Sequence, residues 1–211
     1  MTEEIEKPTD AVRELFGEQF EEVEVLAQML IAEGELRGLI GPRELPRLWS
    51  RHIVNSAAVL PFLPTAVQVM DVGSGAGFPG LVIAIARPDL DVHLVEPMSR
   101  RCEWLADVRD ELDLDNITIH NARAEELHGL GQSDIVTARA VANLKKLTKL
   151  TMPLVLPGGS MLALKGRKAK EEVDAARSVF KKLGVHRVDI HEVPSVMEDE
   201  STRVVQLRKK R

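Results

Sequence analysis

Tyrosine is missing from this chain, cysteine occurs once, and five phenylalanines and two tryptophans are its only aromatic residues beyond histidine among 211 positions. With Cys102 alone, an internal disulfide and a cluster of cysteine ligands are both excluded, which fits a reducing compartment. A single cysteine within a helical stretch reads as a small core side chain. No apolar run approaches the roughly 18 to 20 residues needed to cross a bilayer, and the N-terminus MTEEIEKPTD is acidic where a secretory leader is basic and then apolar. A cytoplasmic protein without a membrane partner is expected. The six histidines fall into no HExxH or similarly dense spacing, so no metal is expected.

The chain is 44% hydrophobic, enough for one domain of ordinary size with a short extension. Its net charge of −5 speaks at first against a nucleic-acid partner, but the distribution weakens that objection. Residues 1 to 25 hold nine acids, Glu3 among them, against Lys7 and Arg13, so the remainder of the chain carries +2. Basic residues gather at Lys145, Lys146 and Lys149, at Lys165, Arg167, Lys168 and Lys170, and in the tail from Arg208 to Arg211, and such clusters are either solvated faces or local positive patches.

From Thr9 to about Glu33, Val12, Leu15, Phe16, Val23, Leu26 and Leu30 recur at helical spacing, with Thr9 as N-cap and Gly34 as stop. Residues 34 to 46 are rich in glycine and proline and read as a connection, and residues 47 to 60 regain helical periodicity. Residues 1 to 60 therefore form an N-terminal helical extension, with Trp49 packing it against the rest of the chain. From Val67 the runs VQVMDV, DVHLVE, NITIH, DIVTAR and SMLALK are short and β-rich, with helical segments at 77–87, 99–112, 143–155 and 168–183 and a short turn at 124–127 between or after them. Alternation of this kind predicts an α/β domain over residues 61 to 211 with a mostly parallel sheet. Residues 186–193 and 203–208 read as two further strands, close enough for an antiparallel hairpin, which makes seven.

The most informative stretch is VMDVGSGAGFPG, residues 69 to 80, where a strand ends in alternating glycines and enters a helix. Glycines there allow a sharp turn and a close approach of backbone to ligand, so Gly73, Gly75 and Gly77 are expected to touch a cofactor. Gly75, Gly77 and Gly80 also satisfy the dinucleotide pattern GxGxxG. Asp71, at the tip of the strand, separates the two readings: a carboxylate repels a pyrophosphate but suits the cationic methionine moiety of S-adenosylmethionine. Glu96 ends the second strand, where nucleotide-binding folds hold ribose hydroxyls, and serves either cofactor. Ala124 and Glu125 follow the third strand and stand where adenine would lie, although Glu125 also reads as a helix-start acid.

Together these pieces resemble the RsmG/GidB family of 16S rRNA guanine-N7 methyltransferases. The resemblance is carried by RHIVNS at 51–56, DVGSGAGFPGL at 71–81, Glu96, the Ala124-Glu125 pair, TARA at 137–140, LKG at 164–166 and the basic terminal strand RVVQLRKK, over residues 45 to 210. It implies a Rossmann-like class I methyltransferase fold, S-adenosylmethionine as cofactor with S-adenosylhomocysteine as product, and 16S rRNA, naked or within the small subunit, as partner of a monomer. It further implies that Gly73, Phe78, Ala124, Glu125 and Arg139 line the cofactor site. Arg51, His52, Arg139 and Lys165 would face the RNA, joined by Arg167 from the cluster at 165–170 and Arg203 from the basic terminal strand. Read without the resemblance, Arg51 and His52 are equally surface residues of a helix.

Guanine N7 has an in-plane lone pair and no proton, so its attack on a sulfonium methyl needs alignment rather than a general base. Arg139 and Lys165 are the candidates for orienting the base through O6. Methylation at cytosine C5 would need a cysteine nucleophile, and Cys102 lies within a helix. Exocyclic-amine enzymes resemble one another in an Asn/Asp-Pro-Pro-Tyr segment, which this chain lacks. A nicotinamide-dependent oxidoreductase built on Gly75 to Gly80, and a ribosome-docking module without transfer activity, are the competing readings.

Overall fold

Alternation of apolar residues along the strands, and their recurrence at helical spacing between them, produce a sheet covered on both faces. The computed structural model describes residues 4–197 and 201–211, so Glu3 of the acidic N-terminal group lies outside them. In chain order the elements are α1 (Asp10–Phe16), α2 (Phe20–Glu33), α3 (Asn55–Ala57), β1 (Gln68–Val72), α4 (Gly80–Ala86), β2 (Asp91–Val95), α5 (Ser99–Glu111), β3 (Ile117–His120), β4 (Ser133–Arg139), α6 (Leu144–Thr151), β5 (Val155–Lys165), α7 (Ala169–Lys182), β6 (Val185–Val193) and β7 (Thr202–Lys209).

The seven strands lie in the order β3-β2-β1-β4-β5-β7-β6, with β7 antiparallel to both β5 and β6 and all other pairs parallel. The mostly parallel seven-stranded sheet with its terminal hairpin is thus as the sequence implies. From β1 the chain first builds outward to β2 and β3, then returns to place β4 on the other side of β1. That reversal opens a crevice at the carboxyl ends of β1 and β4, the place where open α/β sheets bind ligands.

Period-two alternation divides the core. Val69, Val92, Leu94, Leu162, Leu164 and Val204 face one layer, made of α2, α4, α5 and residues 48–63. Met70, Val72, Val95, Met161, Ala163, Val205 and Leu207 face the other, with α6 and α7. Helical side chains Val12, Phe16, Val23, Leu26 and Leu30 belong to the same continuous core as the sheet. Trp49 is buried and stacks on Phe20 with ring centroids 6.0 Å apart.

Several boundaries differ from the sequence expectation, each for a physical reason. The single helix expected from Thr9 to Glu33 breaks at Gly17, whose φ of +55° ends α1. Thr9 occupies the N-cap position but makes no side-chain cap bond. Residues 47 to 60 contain a π-helix, Leu48–Val54, running into α3, and Ser50 is tied there by its N–H and hydroxyl to the Glu6 carboxylate at 2.9 and 2.8 Å. α4 starts at Gly80 rather than Gly77, because the glycine loop continues through Pro79. β5 begins at Val155, where the sequence predicts helix, because α6 ends at Thr151 and a 3-10 turn over Met152–Leu154, which accommodates Pro153 near its start, leads directly into the strand.

Candidate active site

β1 ends at Val72, and the loop after it doubles back beneath β2: the N–H groups of Gly73 and Ser74 both donate to the Val95 carbonyl, at 2.8 and 3.2 Å. Gly73 has φ +74°, and a Cβ there would meet the Val141 side chain at 2.7 Å, so both conformation and space demand glycine. The turn is held from below by Trp104 of α5, fully buried, whose indole N–H donates to the Ala76 carbonyl at 3.1 Å. Above it opens a cavity of about 530 Å³, ample for a nucleoside-sized ligand. Gly73, Ser74, Gly75, Phe78, Glu96, Met98, Arg101, Arg123, Ala124, Glu125 and Arg139 are among its lining residues.

Glu96, at the end of β2, is 2% exposed, and its two carboxylate oxygens accept the N–H groups of Gly75 and Met98, each at 2.9 Å. Two main-chain donors fix the carboxylate while leaving lone pairs directed to the cavity, which suits vicinal hydroxyls. Ala124 and Glu125 open a 3-10 turn capped by the Glu126 carboxylate, which accepts the Arg123 N–H at 2.8 Å. Donor set, glycine wall and volume together fit S-adenosylmethionine.

Two members of the expected cofactor set do something else. Asp71 is fully buried and does not line the cavity; its carboxylate accepts the Gly80 N–H at 3.0 Å and the Thr137 hydroxyl at 3.2 Å. It faces the first layer of the core because it shares a strand face with Val69, so it anchors α4 instead of meeting a ligand's charge. Burial pushes its carboxyl up to about 6, although the Gly80 amide, the Thr137 hydroxyl and Arg139 pull the other way. Gly77 also stands outside the lining: with φ +103°, it is required because a Cβ would collide with Leu81 of α4.

Arg139 ends β4 and is the hinge of the site. Its Nη1 donates to the Arg51 carbonyl at 3.0 Å and its Nη2 to His52 Nδ1 at 2.9 Å, while its guanidinium lies 4.9 Å from the Phe78 ring centroid. Phe78 in turn contacts the His52 ring at 5.4 Å between centroids. An arginine only donates, so Nδ1 must accept and the neutral ring carries its proton on Nε2. Burial, and then the Arg139 charge, push the His52 pKa down to about 4, and burial takes Arg139 down to about 10. At neutral pH the pair is a neutral imidazole and a cation.

On the far side of this pair lies a second cavity, also of about 530 Å³, lined by Glu44, Arg47, Arg51, Asn55, Lys165 and Thr202 among others. His52, Arg139 and Ala140 line both cavities and so form the wall between them. Lys165 reaches this second cavity from the end of β5, but its ammonium already donates to the Ala142 carbonyl at 2.8 Å and to Glu172 at 2.9 Å. Of the expected RNA-facing residues, Arg51, His52, Arg139 and Lys165 come together here. Arg167 and Arg203 do not reach the lining, and Arg203 pairs instead with Glu192 at 2.6 Å. Cys102 donates its thiol to the Glu96 carbonyl at 3.1 Å and is held above its ordinary pKa by burial.

Sequence reading missed Met98, Arg101, Arg123 and Val141 of the first cavity and Glu44, Arg47, Asn55 and Thr202 of the second. The first four lie within a few residues of singled-out positions and were within reach of a wider reading around each strand end. Glu44 sits in a connection that offers no periodicity and Arg47 at the first position after it, and only the tertiary fold brings them to β4.

A Rossmann-like sheet with a glycine turn after β1 and an acid ending β2 defines a protein that binds a nucleotide-type cofactor. Among solved structures, the chain is similar to M. jannaschii TYW2 in complex with AdoMet, with a TM-score of 0.60 at 17% identity over 78% of each chain. It is also similar to a putative S-adenosyl-L-methionine-dependent methyltransferase from Methanococcus maripaludis, with a TM-score of 0.56 at 16% identity over 75% of this chain and 84% of that one. The family model for rRNA small subunit methyltransferase G matches residues 19–201. Ribosomal RNA small subunit methyltransferase G of Beutenbergia cavernae is 52% identical over 94% of both chains, and that of Thermobifida fusca 47% identical over 98% of this chain and 87% of its own. The chain belongs to the rRNA small subunit methyltransferase G family, which decides the glycine loop in favour of the methyl donor over a dinucleotide.

Proposed function

We propose that the protein transfers a methyl group from S-adenosylmethionine, held in the first cavity, to N7 of a guanine of 16S rRNA entering the second. The observation that carries this reading is the shared wall: His52, Arg139 and Ala140 border both spaces, so groups on either side are brought face to face. When bound, S-adenosylmethionine supplies an electrophilic methyl on a sulfonium. Gly73 lets the backbone close on it, Glu96 takes the ribose hydroxyls, and Ala124 with Glu125 flanks the adenine.

No side chain need take a proton. Both nitrogens of His52 are committed, Nδ1 to Arg139 and Nε2 to its own proton, so the ring is a rigid spacer and not a base. Arg139 is braced by Arg51 O, His52 and Phe78, and a guanidinium so fixed aligns the base at little cost in entropy. Holding the reacting atoms within about 3 to 3.5 Å supplies much of the rate in such a transfer. Arg51 and Lys165, with Arg167 and Arg203 further out, meet the RNA backbone, whether the RNA is naked or assembled in the subunit. The working compartment is the cytoplasm, and the protein acts as a monomer.

The test is calorimetric titration with S-adenosylhomocysteine followed by transfer of labelled methyl to unmethylated small-subunit RNA. Wild type is expected to bind at micromolar concentration and to label the RNA, and Gly73→Asp, whose side chain fills the cavity, to do neither. Binding that survives Gly73→Asp, or RNA left unlabelled by wild type, would refute the reading.

A further inference from the structure

Among the described lining residues of the second cavity stands a single acid, Glu44, surrounded by Arg47, Arg51, Arg139 and Lys165. A nucleotide brings its own negative charge, so a carboxylate in its cavity is unfavourable unless the ligand donates hydrogen bonds to it. Glu44 Oε1 lies 3.2 Å from Arg51 Nη1 and Oε2 3.4 Å from His52 Nε2, and the side chain remains 37% exposed. Each oxygen therefore keeps a lone pair for a ligand, and the Arg51 guanidinium, hydrogen-bonded to Oε1, holds the carboxylate in place.

Guanine alone among the common bases carries two adjacent donors, N1–H and N2–H, on its pairing edge, and a carboxylate accepts both at once. N7, O6, N1 and N2 succeed one another round the purine. A base with N7 at the wall shared by His52 and Arg139 thus turns its two donors toward the adjoining lining, where Glu44 stands beside His52. Adenine would present a bare N1 acceptor to the same carboxylate, and the two would repel.

We propose that Glu44 is the specificity-determining residue of the second cavity, accepting N1–H and N2–H of the guanine to be methylated. This rests on the reading of the second cavity as the substrate site. A site built around hydrogen bonds rejects a substrate that leaves its polar groups unpaired, so loss of one donor is expected to cost about tenfold or more.

The experiment compares two small-subunit RNAs made by ligation, carrying guanosine or inosine at the position that wild type methylates. Inosine keeps N7, O6 and N1–H but lacks the N2 amine. Wild type is expected to prefer guanosine by about tenfold or more in kcat/KM. In Glu44→Gln the amide nitrogen opposes N2–H, so the preference is expected to fall to about one, chiefly through loss with guanosine. Glu44→Ala serves as the second variant, and unchanged affinity of both for S-adenosylhomocysteine shows that they fold. A purely structural Glu44 would lower both RNAs by one factor and leave the preference intact, and that result overturns the proposal, as does a wild type indifferent to the amine. A wild type that labels neither RNA overturns the proposed activity, and this proposal with it.

Discussion

Taken out of water by β1 and α4, the Asp71 carboxyl holds its proton up to about pH 6 in the folded protein against 3.8 for the free side chain. The folded state therefore binds a proton more firmly than the unfolded chain, so this group's penalty is full above pH 6 and is released as pH falls toward 4. The change amounts to about 3 kcal/mol. His52 works in the opposite sense over the same range: held at about 4, it stays neutral in the fold while the unfolded imidazole charges below 6.5, which removes stability as pH falls. Urea unfolding of wild type and Asp71→Asn, compared at about pH 7.5 and 4.5, isolates the first effect. Wild type is expected to gain on the variant at the lower pH, and a difference that is flat with pH would contradict the burial argument. Chemical type was legible in the sequence here, and direction was not. Asp71 was visible as an acid at a strand tip, but only the pleat decides that it shares a face with Val69 and turns into the core.

At the scale of elements, the turn after β1 works because α4 and α5 press on it from below. Gly80 begins α4 with its N–H on Asp71, and a Cβ there would collide with Leu94 and lie 2.7 Å from Asp71 Oδ2. Overpacking a site of this kind costs typically about 1–3 kcal/mol. Gly80→Ala is therefore expected to lower the unfolding midpoint and to weaken S-adenosylhomocysteine binding together, read by denaturant titration and calorimetry; unchanged binding would separate the loop from α4. The parallel strands, the hairpin and the three glycines were legible, because apolar alternation and turn residues are local signals. The π-helix carrying Arg51 and His52 was not, for its widened turn is set by contacts such as Glu6 with Ser50 across 44 positions. Gly17 was a signal overlooked: its positive φ splits what apolar spacing alone makes a single helix.

For the whole molecule, the helices before β1 are continuous in packing with the sheet, since Leu26, Leu30, Ile53, Leu81 and Leu94 belong to one buried cluster. Ile40 and Leu39 reach from that region into the lining of the first cavity. Division into an extension at residues 1–60 and a domain at 61–211 describes the pattern of the sequence, and we propose that the two parts unfold together. Differential scanning calorimetry is expected to give one transition with equal calorimetric and van't Hoff enthalpies. Two resolved transitions would show that the N-terminal helices are a separate unit.

Both cavities meet at Arg139, and the proposed transfer across that wall to N7 would leave a distinctive chemical mark. The decisive measurement is to treat small-subunit RNA, methylated by the purified protein, with borohydride and then aniline, which cuts the strand at 7-methylguanosine. Scission at one guanine, present with wild type and lost with Arg139→Ala, is the expected result; methyl label in RNA that resists scission would place the methyl on another atom and contradict the mechanism.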